Sequence, residues 1–292
     1  MPVRSRIKMG WLTNRYNKKT SKKYGWGPSW FGSELTLFDS SLEEAIRRFQ
    51  LEHGLSVDGR VGPMTYRRVL STQDLQEDGY VNYILINDQK VTIDWDVNID
   101  LMPHGCYSKS RRERKPNMIV THWDATTSAE KCKRVLQARN ISTHFCIDND
   151  GIIHQYVDTN NTAWHAGRVN RYSIGVDFSN AYYMKYASYY KKKGLGTRPV
   201  CKDSVVHGVR LKPHLGFYKL QVEAYKKLIT LLCDHYNIEV DIPRTKEGEL
   251  YTGVVDTVSK GKYNGVVCHY HITRGKIDCA GLDLAKIIDE LN

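Results

Sequence analysis

Five short runs rich in β-branched and aromatic residues mark the chain beyond residue 117: MIVTHW at 118–123, THFCID at 143–148, IIHQYV at 152–157, SIGVDF at 173–178 and GVVCH at 265–269. Each has the length and composition of a strand. Asn149-Asp150-Gly151 joins the second run to the third as a turn. Helical spacing separates other runs, over roughly 128–139 and 217–236. In the longer segment Val222, Tyr225, Leu228, Ile229, Leu232 and Tyr236 fall on one face, and a last helix starts near Leu282. Strands interleaved with helices predict an α/β domain, a mixed central sheet flanked by helices.

The first part of the chain follows a different pattern. Ser41-Leu-Glu-Glu44 reads as a capping box opening a helix through LEEAIRRFQLEHGL, with Leu42, Ile46, Phe49 and Gln50 facing inward and Gly54 at the C-cap. Val57-Asp58-Gly59 is a turn, and Gly62-Pro63 starts a second helix ending near Leu70. Two short helices bury too little to stand alone, so a third is expected before Asp39. The division that follows is a small α-helical domain over 1–75, a linker with an outlying hairpin around Asn87-Asp88 over 76–116, and a main domain over 117–292. The run Lys109 to Lys115 is expected to be a basic loop.

Composition narrows the setting. With 292 residues, 41% hydrophobic, the chain can bury one sizeable core and a small second one. No apolar stretch approaches the roughly 18 residues of a membrane helix, and MPVRSRIKMGWLTNRYNKK lacks a signal peptide's apolar centre. The expectation is synthesis and folding in a cytoplasm, without stable membrane association, as a monomer. Seven cysteines without framework spacing fit reduced thiols. A net charge of +11 implies an anionic partner, but the basic residues are scattered and no groove-reading motif appears, which argues against nucleic acid.

His122 and His269 end two strands, placing imidazoles where open α/β sheets bind ligands, and Cys279 follows in CHYHITRGKIDCAGLDL. Two imidazoles and a thiolate would leave one zinc position open, the pattern of a catalytic site, and soft donors favour Zn²⁺ over Mg²⁺ or Ca²⁺.

Over 117–284 the chain resembles the type-2 N-acetylmuramoyl-L-alanine amidase family. The match runs in order through IVTHWDAT, STHFCIDNDGIIHQYV, AWHAG (163–167), SIGVDF and the terminal CHYHITRGKIDCAGLDL. The resemblance implies zinc held by His122, His269 and a third ligand. The pattern CAGLDL points to Cys279, while Lys276, two residues before Asp278, points to Asp278 as the alternative. It also implies Asp177 as general base, at a position where one branch carries Glu, with Thr143 where phage relatives carry Tyr. Lys276 would face the developing oxyanion, and Trp164 and His165 would hold substrate at the groove rim. His144 is expected to support the sheet and His154 to face solvent.

Residues 34–70 are similar to a small peptidoglycan-binding domain through AIRRFQLEHGLSVDGRVGPMTYRRVL, with Asp58 and Arg60 as candidate contacts. Together the resemblances imply a peptidoglycan hydrolase of endolysin type, cutting the amide between N-acetylmuramic acid and L-alanine with a zinc-activated water. Its partner would be bacterial peptidoglycan, reached from the host cytoplasm at lysis. The alternatives are a cytoplasmic muropeptide-recycling amidase and a non-catalytic peptidoglycan recognition protein.

Overall fold

The five strand runs and the hairpin before them assemble into one seven-stranded sheet in the computed structural model, which describes residues 4–73 and 80–292. Its strands are β1 (Tyr80–Ile86), β2 (Gln89–Ile99), β3 (Met118–Trp123), β4 (Phe145–Ile147), β5 (Ile153–Gln155), β6 (Ser173–Phe178) and β7 (Gly265–Cys268), in the order β1-β2-β5-β4-β6-β3-β7. β4 and β5 form an antiparallel hairpin, and β4, β6, β3 and β7 run parallel to one another. The sheet is mixed, with helices on both faces, as the interleaving requires.

Alternation along the strands sorts the core into two faces. Ile119, Ile174, Val176, Phe178 and Val266 pack against the helix Lys219–Tyr236 through Ala224, Tyr225, Leu228, Ile229 and Leu232. At roughly 1.5–3 kcal/mol for each fully buried aliphatic or aromatic side chain, this layer is the main fold-holding contact. On the other face Met118, Val120 and Val267 pack with Val169, Val258 and Ile272, while Cys146 lies with Ala129 and Cys132 of the helix Ala129–Ala138. His122 and Asp177 alternate onto that second face too.

One expectation about the middle of the chain is corrected. The hairpin around Asn87-Asp88 forms, with both turn residues at positive φ, but it is not an outlier: β2 pairs in parallel with β5, so the hairpin extends the main sheet. The basic loop that follows has one residue turned inward. Arg114 is buried, its guanidinium donating to the carbonyls of Thr159 (2.7 Å), Asn170 (3.0 Å) and Ser173 (2.8 Å).

The chain divides into two compact units, one reaching to Tyr80 together with Ser188–Thr197, the other made of 81–187 and 198–292. Within the first, the helices α1 (Arg4–Tyr24), α2 (Ser40–Glu52) and α3 (Pro63–Gln73) lie around Trp26, Leu42, Ile46 and Val61. The expected third helix is therefore α1. Its buried face is polar: Asn17 donates to Gly59 O and accepts from Val61 N, both at 2.9 Å, and Thr20 accepts from the Trp26 indole. The cap of α2 is Asp39, which accepts from Ser41 N and Leu42 N, rather than Ser41. Gln50 is buried and bonds Asp58, Gly59, Arg60 and Thr65, so it fixes the turn before α3. Gly59 sits at φ +71, and a Cβ there would meet Glu43 Cγ at 2.7 Å. Asp58 accepts from Gln50 and Arg60 N, which engages its carboxylate within the turn.

Two buried histidines set an acid limit on the sheet unit. His144 Nδ1 accepts from Gly175 N (2.9 Å) and its Nε2 faces Asn161 O, while His271 Nδ1 accepts from Cys268 N (3.0 Å) and its Nε2 faces Tyr251 O. A proton on either Nδ1 would oppose an N–H. Burial, with Arg114 beside it, lowers His144 to about 3, and burial lowers His271 to about 4. Both folded values lie below the unfolded value of about 6.5, so the stability they contribute is present above pH 6.5 and lost as pH falls toward 4. Urea unfolding of this unit should show a loss of about 2 kcal/mol per histidine between pH 7.5 and pH 5. Equal stability at the two pH values would contradict this assignment.

Candidate active site

Register brings the site together. β3 and β6 pair with His122 opposite Asp177, and β7 pairs with β3 with Cys268 opposite Thr121, so His269, one residue on, stands level with His122. Both imidazoles lie at the carboxyl ends of parallel strands, the edge where open α/β sheets gather ligands.

Asp278 completes the group. Its Oδ2 lies 3.0 Å from His122 Nδ1 and 3.0 Å from His269 Nδ1, and the two nitrogens are 3.0 Å apart. All three residues are buried. Burial alone would raise the Asp278 carboxyl, but the two histidines that face it, His122 and His269, hold it well below the usual carboxylate range. Burial and the neighbouring His269 push His122 down to about 4 in spite of Asp278. A neutral His122 beside an ionised Asp278 is the protonation state a metal needs.

The structure places the two candidates for the third ligand, Cys279 and Asp278, differently. Cys279 is fully buried in the core layer that packs on the long helix, and burial raises its thiol well above the usual value. Asp278 faces the histidines, while Cys279, the next residue, packs into the core. The alternative, Asp278, is the residue the structure brings to His122 and His269.

The donor set fits a zinc ion. Three donors about 3 Å apart can all reach one point at the roughly 2.0–2.2 Å of Zn–N and Zn–O bonds, and two histidines with one carboxylate are a known catalytic zinc set with an open fourth position. A second group, Asp124 with Cys132 and Cys146, is also close-set, but Asp124 already accepts from Thr126 N, Thr126 Oγ1, Ser179 Oγ and Asn180 N.

Asp177 is buried beside this centre, in register with His122 and on the same face. Burial, then the charge of Asp124, raises its carboxyl well above the ordinary range, while Lys276 opposes the rise. The hydroxyl of the buried Thr143 also opposes the rise, as a hydrogen-bond partner of the Asp177 carboxyl. Lys276 is exposed on the loop before Asp278, and its charge reaches both His122 and Asp177.

The AWHAG loop splits its two expected substrate contacts. Trp164 is half-buried, with its indole donating to Ser108 Oγ at 2.9 Å. His165 is not free to hold substrate by its ring nitrogens: Nδ1 is 3.0 Å from His122 Nε2, and Nε2 is 3.2 Å from Ser173 Oγ. His144 lies behind it and supports the sheet, while His154 is half-buried with Nδ1 3.2 Å from Asn98. Ser173, Asn170 and Arg114 were not singled out in the sequence. SIGVDF contains Ser173, but nothing local marks a serine at a strand's start as a partner of a distant histidine.

Fold and site define an α/β protein with a candidate metal centre at the carboxyl edge of its sheet. The family model for N-acetylmuramoyl-L-alanine amidase matches residues 112–279, more than half of the chain, and a peptidoglycan-binding domain model matches 22–69. The chain belongs to the N-acetylmuramoyl-L-alanine amidase family, and is thus a hydrolase of the peptidoglycan amidase class. No curated protein matches the sequence. Among solved structures, the amidase LysC from Clostridium intestinale URNW is 16% identical, with 67% of this chain and 97% of that one covered at a TM-score of 0.41. The catalytic domain of XlyA is 21% identical, covering 62% and 87%, with a TM-score of 0.36. The Ph2119 endolysin from a Thermus scotoductus MAT2119 bacteriophage is 13% identical, covering 64% and 91%, with a TM-score of 0.39.

Proposed function

We propose that the protein is a zinc-dependent endolysin, made in an infected host's cytoplasm and acting on the wall at lysis. It would hydrolyse the amide between N-acetylmuramic acid and L-alanine in bacterial peptidoglycan. The observation that carries this reading is the triangle of His122, His269 and Asp278 beside the buried Asp177. The peptidoglycan-binding match at 22–69 supports an insoluble wall as the substrate, and the net charge of +11 favours anionic envelope polymers.

A zinc held by His122, His269 and Asp278 would supply Lewis-acid polarisation of the amide carbonyl and acidify a water. Asp177, raised by burial toward the range useful for proton transfer, takes the water's proton and returns it to the leaving amine. Lys276 places a positive charge where the carbonyl oxygen gains negative charge. Trp164 offers an aromatic face at the rim for sugar or peptide.

Mass spectrometry of sacculi digested with the purified chain tests the chemistry. New L-alanine amino termini are expected. New reducing sugar ends in their place would indicate a glycosidase and refute the amidase assignment.

A further inference from the structure

The two nitrogens of His165, each facing one partner, determine the protons along a chain of groups that ends at the candidate metal centre. Ser173 Oγ donates to Val169 O at 2.9 Å, so its only hydrogen is spent. The 3.2 Å contact between Ser173 Oγ and His165 Nε2 must then be donated by His165. A neutral imidazole carries one N–H, so His165 Nδ1 is left as an acceptor, and His122 donates its Nε2–H across their 3.0 Å contact. His122 Nδ1 is therefore the bare nitrogen, and it is the one facing His269 and Asp278. Every donor in the series finds an acceptor.

The surroundings hold His165 in that pose. Asn170 Oδ1 accepts from the backbone N–H groups of His165 (3.1 Å) and Ala166 (2.6 Å), clamping the loop. Gly175 supplies the seat, since a Cβ there would stand 2.7 Å from His165 Cγ and Nδ1. The rings of His122 and His165 meet edge to face, with centroids 5.2 Å apart at 90°.

We infer that His165, oriented by Ser173 and seated on Gly175, is a positioning residue that locks His122 in its Nε2–H tautomer and so presents Nδ1 for zinc. The inference rests on the reading of His122 as a zinc ligand. Without His165, His122 is free to rotate its ring or to place its proton on Nδ1, where it would bond Asp278 and block the metal. Partners that fix a ligating histidine typically govern 10- to 100-fold in metal affinity.

The test pairs zinc affinity, from competition with a chromogenic chelator, with ¹⁵N NMR of the His122 ring in the full chain, zinc-loaded and zinc-free. His165→Ala should bind zinc roughly 10- to 100-fold more weakly and should lose the pure Nε2–H pattern of His122 in the zinc-free chain. His165→Asn, whose Oδ1 falls near the place of Nδ1, should recover part of the affinity. Ser173→Ala, the milder change, should weaken zinc by less, and combining it with His165→Ala should add nothing, because the serine acts through the histidine. Unchanged affinity and an unchanged His122 tautomer in His165→Ala would overturn the relay, as would additive losses in the double variant. If the wild-type chain bound no zinc while His122 kept its Nε2–H form in a His165-dependent way, the relay would stand and the metal reading would fall.

Discussion

Asp278→Ala should lose stoichiometric zinc, and Cys279→Ala should keep it. The argument is geometric: Asp278 Oδ2 stands 3.0 Å from the inward nitrogens of both His122 and His269, while Cys279 is buried in the apolar layer on the other side. Removing one of three ligands should cost more than the roughly 10- to 100-fold that follows loss of a supporting group. It also leaves two buried imidazoles without the carboxylate that compensates a cation. His122→Ala and His269→Ala should lose zinc to the same degree. Cys279→Ala removes one buried sulfur and costs packing stability on the order of 1 kcal/mol, without touching the donors. Metal analysis of the purified variants decides it, since zinc retained in Asp278→Ala and lost in Cys279→Ala would restore the thiolate as ligand.

Softness points to Cys279 because it ranks donors without asking which way they point, and the structure turns Asp278, not Cys279, toward the two histidines. Lys276, two residues ahead of Asp278, was the better signal. The five strands were legible because each is a contiguous run with its own turn chemistry, and the two histidines were legible because each closes such a run. The attachment of the β1–β2 hairpin was not, since the parallel pairing of Val97–Ile99 with Ile153–Gln155 joins segments more than fifty residues apart. Helix α1 escaped for a different reason. Its inward residues, Thr13, Asn17 and Thr20, are polar hooks for the turn at Gly59–Val61 and for Trp26, while Trp11 and Leu12 are exposed, so the apolar period that marks an amphipathic helix is absent. The motif AWHAG marks His165, but it shows nothing of Ser173 or His122, the two groups its ring nitrogens face.

Asp177→Asn should leave zinc bound and lower the amide-cleavage rate by roughly 10²- to 10⁴-fold, the range for a lost general base. The carboxyl is buried, in register with His122 and away from the ligand triangle, so an amide of the same shape removes the proton acceptor and spares the donors. Its pKa direction sets the pH signature. Burial and Asp124 raise the group, so as pH falls it takes up a proton before an ordinary carboxylate would, and the protonated form cannot act as base. Wild-type activity should therefore fall on the acid side at a pH above the usual carboxylate range, and the residual activity of Asp177→Asn should lack that ionisation. Zinc content measured on the same samples separates the roles. Zinc lost together with activity would make Asp177 a support of the metal centre, and a rate equal to wild type would remove it from the chemistry, leaving proton transfer to a group outside the β3–β6 register pair.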